Sequence, residues 1–238
     1  NIIAEDDGSF AACRLKRIDS IRGKLLREGH SYKLNSMYDI AGCRIVANSV
    51  DRVDEIAGKL AEIDGYRSCK NYIEQPKSSG YRSIHLIHEF DSPEFGYANL
   101  KVETQVRTSL QHMWATSVEV YDVVSQNALK FGAGEQSEKR YFALISNLFS
   151  FEEHASPVPN SPSNAHETVE ELRRLDTSLH IASRLKAYSN SVSVADKLAK
   201  QMHADYVLLM IDFEMQQIQL ETFSDLEDAD AIAAYGEF

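Results

Sequence analysis

The stretch Ala98-Asn99-Leu100-Lys101-Val102-Glu103-Thr104-Gln105-Val106-Arg107 alternates more regularly than any other part of the chain. In an extended strand, Leu100, Val102, Thr104 and Val106 fall on one side, and Lys101, Glu103, Gln105 and Arg107 on the other. One face is suited to a core. The other holds a carboxylate among cations, an ordinary solvated pattern that becomes chemistry only when a second carboxylate converges on it. Asp39 is the candidate, at the head of Asp39-Ile40-Ala41-Gly42-Cys43-Arg44-Ile45-Val46. Strict alternation puts Asp39 and Arg44 on opposite faces, so either Asp39 precedes the regular strand or Gly42 marks a bulge.

Working outward, residues 37–47 and 81–90 read as further strands. Residues 14–27 read as a basic helix. Asp51 is placed to N-cap a helix with Val53, Ile56, Ala57, Leu60 and Ala61 on one face. Thr108 followed by Gln111 is a capping-box pattern. The helix it opens would bury Leu110, Met113, Trp114, Ser117 and Tyr121, and residues 140–153 form another helix. Three of the five prolines, Pro157, Pro159 and Pro162, fall in a Ser/Asn-rich stretch. It reads as a linker over 154–166 between an N-terminal unit, 1–153, and a smaller one, 167–238, truncation of which stays open. The smaller unit carries an amphipathic helix over 167–188, a hairpin over 205–213 and 218–223, and a last helix over 225–235. The fold class is α+β: a mixed β-sheet flanked by helices, with a C-terminal helix and hairpin unit.

The 238 residues carry a net charge of -11, which argues against a generic phosphate-backbone binder. The charge is uneven: residues 1–151 hold 19 Lys and Arg against 20 Asp and Glu, and no Lys or Arg occurs beyond residue 200. Mean hydropathy is -0.34 and no long apolar run or basic leader is present, so the chain is expected to be cytoplasmic. Three cysteines, Cys13, Cys43 and Cys69, are too few and scattered for a disulfide framework or zinc cluster.

Two carboxylates on neighbouring strands suit magnesium, with manganese as the alternative, held also by substrate phosphates. No Gly-x-x-x-x-Gly-Lys-Ser/Thr loop is present, so Lys and Arg must supply the phosphate contacts. Residues 14–27 contain six cations and one Asp. Residues 71–85, Asn-Tyr-Ile-Glu-Gln-Pro-Lys-Ser-Ser-Gly-Tyr-Arg-Ser-Ile-His, place Tyr81 at a Gly-flanked loop edge near Lys77 and Arg82. Such an aromatic is suited to stacking on a nucleobase, or equally to covering a strand edge.

The order and wording of these blocks resemble the synthetase domain of the RelA/SpoT homologue family, the alarmone synthetases. Arg-Leu-Lys-Arg-Ile-Asp-Ser-Ile-Arg-Gly-Lys-Leu (14–25) resembles the ATP-binding basic helix, and residues 39–46 the first metal-binding strand. Pro-Lys-Ser-Ser-Gly-Tyr-Arg-Ser-Ile-His (76–85) resembles the acceptor loop. Val-Glu-Thr-Gln-Val-Arg-Thr (102–108), with His112, Trp114, Ala115 and Glu119 beyond it, resembles the second metal-binding strand and its helix. The resemblance covers residues 13–122. It departs at Cys13, where the family has Gly, at Ser78-Ser79 for Pro-Asn, and at Asn71 for Asp.

The resemblance implies a nucleotidyltransferase-like fold and a stand-alone synthetase. That enzyme moves the β,γ-pyrophosphate of ATP to the 3′-hydroxyl of GDP or GTP, giving (p)ppGpp. It implies Asp39 and Glu103 as catalytic and metal-binding residues. Arg14, Lys16, Ser20, Lys24, Arg27 and Arg44 would bind ATP. Lys77, Gly80, Tyr81, Arg82, His85, Gln105, Arg107, His112 and Glu119 would bind the acceptor. Two alternatives stand beside it: a toxin-like relative acting on adenosine nucleotides or the tRNA 3′-CCA end, and a silent nucleotide-binding module. Partners are ATP and GDP or GTP, tRNA being less favoured by the acidic C-terminal third, with no membrane. A homo-oligomer or a protein partner through the C-terminal unit is expected.

Overall fold

The computed structural model describes residues 8–16, 18–26, 33–34, 37–125, 129, 132, 134–202, 206–212 and 217–223. Strands β1 (Phe10–Leu15), β2 (Ala41–Ala47), β3 (Tyr66–Asn71), β4 (Ile84–Ser92) and β5 (Tyr97–Thr108) form one sheet in the order β1-β2-β5-β4-β3. β2 and β5 run parallel and every other pair is antiparallel. The alternating strand is thus the centre of a mixed sheet, paired on both edges.

The helices are α1 (Ile18–Leu25), α2 (Val50–Ala61), α3 (Ser109–Ser125), α4 (Gln136–Glu152), α5 (Ala165–Leu179) and α6 (Ile181–Met202). β6 (Tyr206–Asp212) and β7 (Gln217–Phe223) form a separate two-stranded antiparallel sheet. Two compact units emerge: residues 1–116 with 135–173, and residues 117–134 with 174–238.

In the first unit the core lies between α2 and the sheet. Val53, Ile56, Ala57 and Leu60 pack against Ile45, Ile84, Leu86 and Val106. Burying such aliphatic side chains is worth about 1.5–3 kcal/mol each. The apolar face of β5 deepens along the strand: Leu100 is 42% exposed, Thr104 7% and Val106 0%. Thr108 and Gln111 exchange the expected capping-box bonds at 3.2 Å each, fixing where β5 becomes α3.

Several expectations are corrected. Arg14 and Leu15, read as the start of the basic helix, end strand β1 instead, because β1 finds a partner in β2 and helical structure begins only at Ile18. Ser49, not Asp51, caps α2, its hydroxyl accepting the Arg52 amide at 3.2 Å. Met113 is 55% exposed, whereas Trp114 and Tyr121 are buried. The expected helix over 167–188 is broken at His180, where φ is 54°. The proposed last helix over 225–235 lies outside the described residues, while the hairpin before it is present.

The proline stretch is irregular, as expected, but its residues do not separate two bodies. Asn147 of α4 accepts the Val158 amide at 3.0 Å and donates to the Pro162 carbonyl at 3.0 Å and the Thr168 hydroxyl at 3.2 Å. Val158 is 2% exposed. The segment therefore packs as part of the first unit, and the division between units falls beyond it, within α5.

Candidate active site

β2 begins at Ala41, so Asp39 precedes the regular strand and no bulge is needed; the β2–β5 register runs unbroken from Ala41↔Val102 to Ala47↔Thr108. Gly42 sits opposite Glu103, and a Cβ there would come within 3.3 Å of the Glu103 carbonyl oxygen. Gly42 lines the same small cavity as Asp39 and Glu103.

Asp39 is held from both sides: Lys16 Nζ donates to Oδ2 at 2.6 Å and Lys24 Nζ to Oδ1 at 3.0 Å. Burial pushes its carboxyl up, but the hydrogen bonds and charges of the two lysines outweigh burial and leave it below the usual range. Glu103 accepts from Gln105 Nε2 at 2.7 Å and faces His85 Nδ1 at 3.4 Å. Burial again pushes upward, the bond and charge of His85 and the Gln105 bond prevail, and the Asp39 charge opposes them. Two ionised carboxylates close enough to repel are a hard-oxygen donor set of the kind magnesium takes. Among the described residues there is no group of three or more His, Cys, Asp or Glu arranged to hold a metal, so substrate oxygens would complete the sphere.

Glu103 lines two cavities. A small one of about 100 Å³ gathers Arg14, Lys16, Asp39, Arg44 and Gln105 with the strand residues Ala12, Cys13, Gly42 and Cys43. A larger one of about 380 Å³ is lined by Tyr38, Arg67, Ser68, Lys70, Tyr72, His85, Ile87, Glu89 and Lys101. Thus Arg14, Lys16, Arg44, Asp39 and Glu103 come together as the sequence suggested. Lys24 reaches them through Asp39. Ser20 lies in α1 with its side chain outside the described set, and Arg27 is outside the described residues.

The acceptor residues divide. His85 lies in the larger cavity, and Tyr81 donates to or accepts from its Nε2 at 2.7 Å. Tyr81 itself is buried, edge-on to Tyr72, His85 and Trp114, and burial pushes its phenol up to about 12. Lys77 Nζ stands 4.7 Å from the Tyr72 ring centre and 5.1 Å from that of Tyr81. Gly80 has φ 93°, and a Cβ there would lie 2.8 Å from Ser146 Cβ, so only glycine fits this turn.

Four residues stand elsewhere than expected. Arg82 is 2% exposed and spends its donors inside the protein, on the Ser146 hydroxyl at 3.0 Å and the carbonyls of Ile73 at 3.2 Å and Ser156 at 2.6 Å. Burial lowers its pKa to about 10, which still leaves it a cation at neutral pH. This corrects its assignment to acceptor binding: it pins the acceptor loop to α4 and the proline segment. Gln105 lines the smaller cavity and not the larger one that holds His85. Arg107 is buried and bonded to His112 Nδ1 at 2.6 Å. Glu119 is exposed on α3 in the second unit.

Sequence reasoning missed Arg67, Lys70, Tyr72 and Lys101 as cavity residues. The first two lie on β3, a strand whose exposed residues show no alternation. Asn71 ends that strand by accepting the amides of Ile73 at 2.9 Å and Glu74 at 3.2 Å, a turn that Asp would make equally well.

The parallel β2–β5 pair thus brings Asp39, at the head of β2, and Glu103, on β5, to one polar cavity, and Glu103 lines a second as well. Residues 13–121 match the family model described as the region found in RelA / SpoT proteins. Among curated proteins, the GTP pyrophosphokinase YwaC of Bacillus subtilis is 34% identical over 110 residues, 43% of this chain and 52% of its own. The GTP pyrophosphokinase YjbM of the same organism is 34% identical over 119 residues, 47% and 56%. The chain thus spans about half the length of the curated relatives it matches. The crystal structure of the small alarmone synthetase 1 from Bacillus subtilis, bound to its product pppGpp, superposes with TM-score 0.51 at 27% identity. The match covers 61% of this chain and 74% of that one.

Proposed function

We propose that the chain is a pyrophosphokinase, transferring the β,γ-pyrophosphate of ATP to the 3′-hydroxyl of GDP or GTP to give (p)ppGpp. The observation that carries this reading is Glu103 lining two cavities, one with Arg14, Lys16 and Arg44 beside Asp39, the other with Tyr38, Tyr72 and His85 beside Arg67, Lys70 and Lys101. The named activities of the curated relatives and the product in the related crystal structure support it.

In this reading ATP phosphates occupy the smaller cavity. Arg14, Lys16 and Arg44 neutralise their charge, Arg being suited to two-pronged oxygen contacts. Lys16 and Lys24 hold Asp39 ionised until the phosphates arrive and then transfer their bonds to phosphate oxygens. Asp39 and Glu103 fit magnesium, which when bound supplies further charge neutralisation at the phosphates. The acceptor nucleoside lies in the larger cavity against Tyr72 and His85, whose ring Tyr81 holds from behind, with Arg67, Lys70 and Lys101 available to its phosphates.

The acceptor 3′-oxygen bonds to the β-phosphorus of ATP, the bond from that phosphorus to the bridging α,β-oxygen breaks, and AMP leaves. The proton from the 3′-hydroxyl passes to Glu103, oriented by Gln105 and His85. Positioning and charge neutralisation account for the rate, since this transfer needs little covalent help. ATP and guanine nucleotides are pools of the cytoplasm, in keeping with the absence, among the described helices, of one long and apolar enough to cross a membrane.

The test is labelled ATP with GDP, GTP, AMP, ADP and tRNA offered separately, and the product weighed intact. Product on GDP or GTP supports the reading. Product only on adenosine nucleotides or tRNA assigns the acceptor to the toxin-like alternative, and none on any acceptor despite nucleotide binding assigns a silent module.

A further inference from the structure

Cys13 and Cys43 are register partners on the antiparallel strands β1 and β2, and they form a disulfide. Both line the smaller cavity, beside Arg14 and Arg44. Three features make this pair more than a brace. β1 is an edge strand with all six residues exposed, paired to β2 alone. The ring closed by the bond spans 30 residues, and Arg14, Lys16, Lys24 and Asp39 all lie inside it. The third cysteine, Cys69, is free and exposed on β3, at the opposite edge of the sheet.

We propose that Cys13–Cys43 is a reversible disulfide that sets the affinity of the cationic cavity for ATP. This rests on the reading of that cavity as the ATP site. Both thiols are oxidised to one disulfide; their two electrons and two protons pass to a low-molecular-weight disulfide, which leaves as two thiols. The bond ties both ends of the cation-bearing segment to one point of β2. Arg14, Lys16 and Lys24 are then carried on a backbone with less freedom to lose when they bind phosphate, and binding is stronger for that reason. With the bond reduced, β1 keeps its ladder and the Lys16 amide its bond to the Ile40 carbonyl, but the covalent tie is gone and binding has more freedom to remove. The disulfide form is the tight-binding state and the dithiol the weak one.

The experiment uses the full chain carrying Cys69→Ser, equilibrated in glutathione buffers from reducing to oxidising. Thiols are trapped and counted by mass, and the Kd of a non-hydrolysable ATP analogue with magnesium is measured in each state. We expect one intramolecular bond in the oxidised chain, and a Kd about tenfold higher after reduction, the change expected from removing part of the ordering cost. Cys13→Ser should show the weaker Kd in every buffer. Failure of the bond to form in oxidising glutathione overturns the proposal, as do Kd values within twofold of each other in the two states. The readout does not depend on turnover. A tenfold difference without any pyrophosphorylated product keeps this inference and removes the proposed function. Absence of analogue binding in both states removes both.

Discussion

Glu103 and Arg82 are both ionised, both held by neighbours and opposite in purpose. Glu103 opens onto two cavities, and its bonds to Gln105 and His85 aim it without using it up. Glu103→Gln keeps the shape and the Gln105 contact but removes the charge and the proton acceptor. Loss of one such group in phosphoryl transfer costs about 10²–10⁴ in rate. The expected result is turnover reduced at least a hundredfold with a melting temperature close to that of the parent; full activity in a folded Glu103→Gln protein sinks the assignment. Arg82 shows no such opening. Its three bonds join Ser146, Ile73 and Ser156. Arg82→Ala strands those partners in the interior and should cost about 3 kcal/mol in urea unfolding. A raised acceptor KM with unchanged stability would restore Arg82 to the acceptor site.

At the level of elements, what could be read in the sequence is what has a buried side. The central strand β5 and helix α2 each present a face to the core, and their periodicity shows it. The two edge strands do not. β1 has all six residues exposed and β3 five of six, so no alternation marks either. Their conformation is chosen by the neighbour they pair with, which local pattern does not contain. The same reason explains the site: Asp39, Arg44 and Glu103 stood out because β2 and β5 did, whereas Arg67 and Lys70 were hidden with β3. Tyr81 and Arg82 were placed by a motif that registers residue type but not depth. The proline segment misled in another way, since its composition is that of a linker while side chains from outside it, Asn147 and Arg82 among them, tie it down. Asn147→Ala removes the bonds to Val158, Pro162 and Thr168 and should cost about 2–3 kcal/mol. Hydrogen exchange should show lost protection at Val158 before any change in β5. Retained protection there would mean that packing alone holds the segment, and that the linker reading deserves to return.

For the whole molecule, charge and specific pairing make opposite predictions on acidification. The chain carries -11 at neutral pH with an isoelectric point near 5.2. Lowering the pH toward that point relieves general repulsion and by itself favours the folded state. The paired carboxylates act the other way. Asp39 and Glu103 titrate lower folded than unfolded, against the push of burial, because lysines hold the first and His85 with Gln105 the second. A carboxyl lowered on folding stabilises fully above its unfolded value and loses that contribution as the pH falls through its folded value. Asp54 has the reverse sign: burial and the charges of Glu74 and Asp51 raise it, so protonation relieves it first. The relief of charge and of Asp54 therefore comes early, and the loss of the two site carboxylates later. The melting temperature should hold or rise slightly down to about pH 5 and fall below about pH 4, where model carboxyls titrate. Asp39→Asn isolates the site from the rest. It leaves the general charge almost unchanged but removes the group on which Lys16 and Lys24 converge. Its melting curve should start lower at neutral pH and fall less steeply through the acid range, approaching the parent near pH 3. Parallel curves across that range would mean that Asp39 contributes nothing to acid sensitivity, and that the two lysines are not held by its charge.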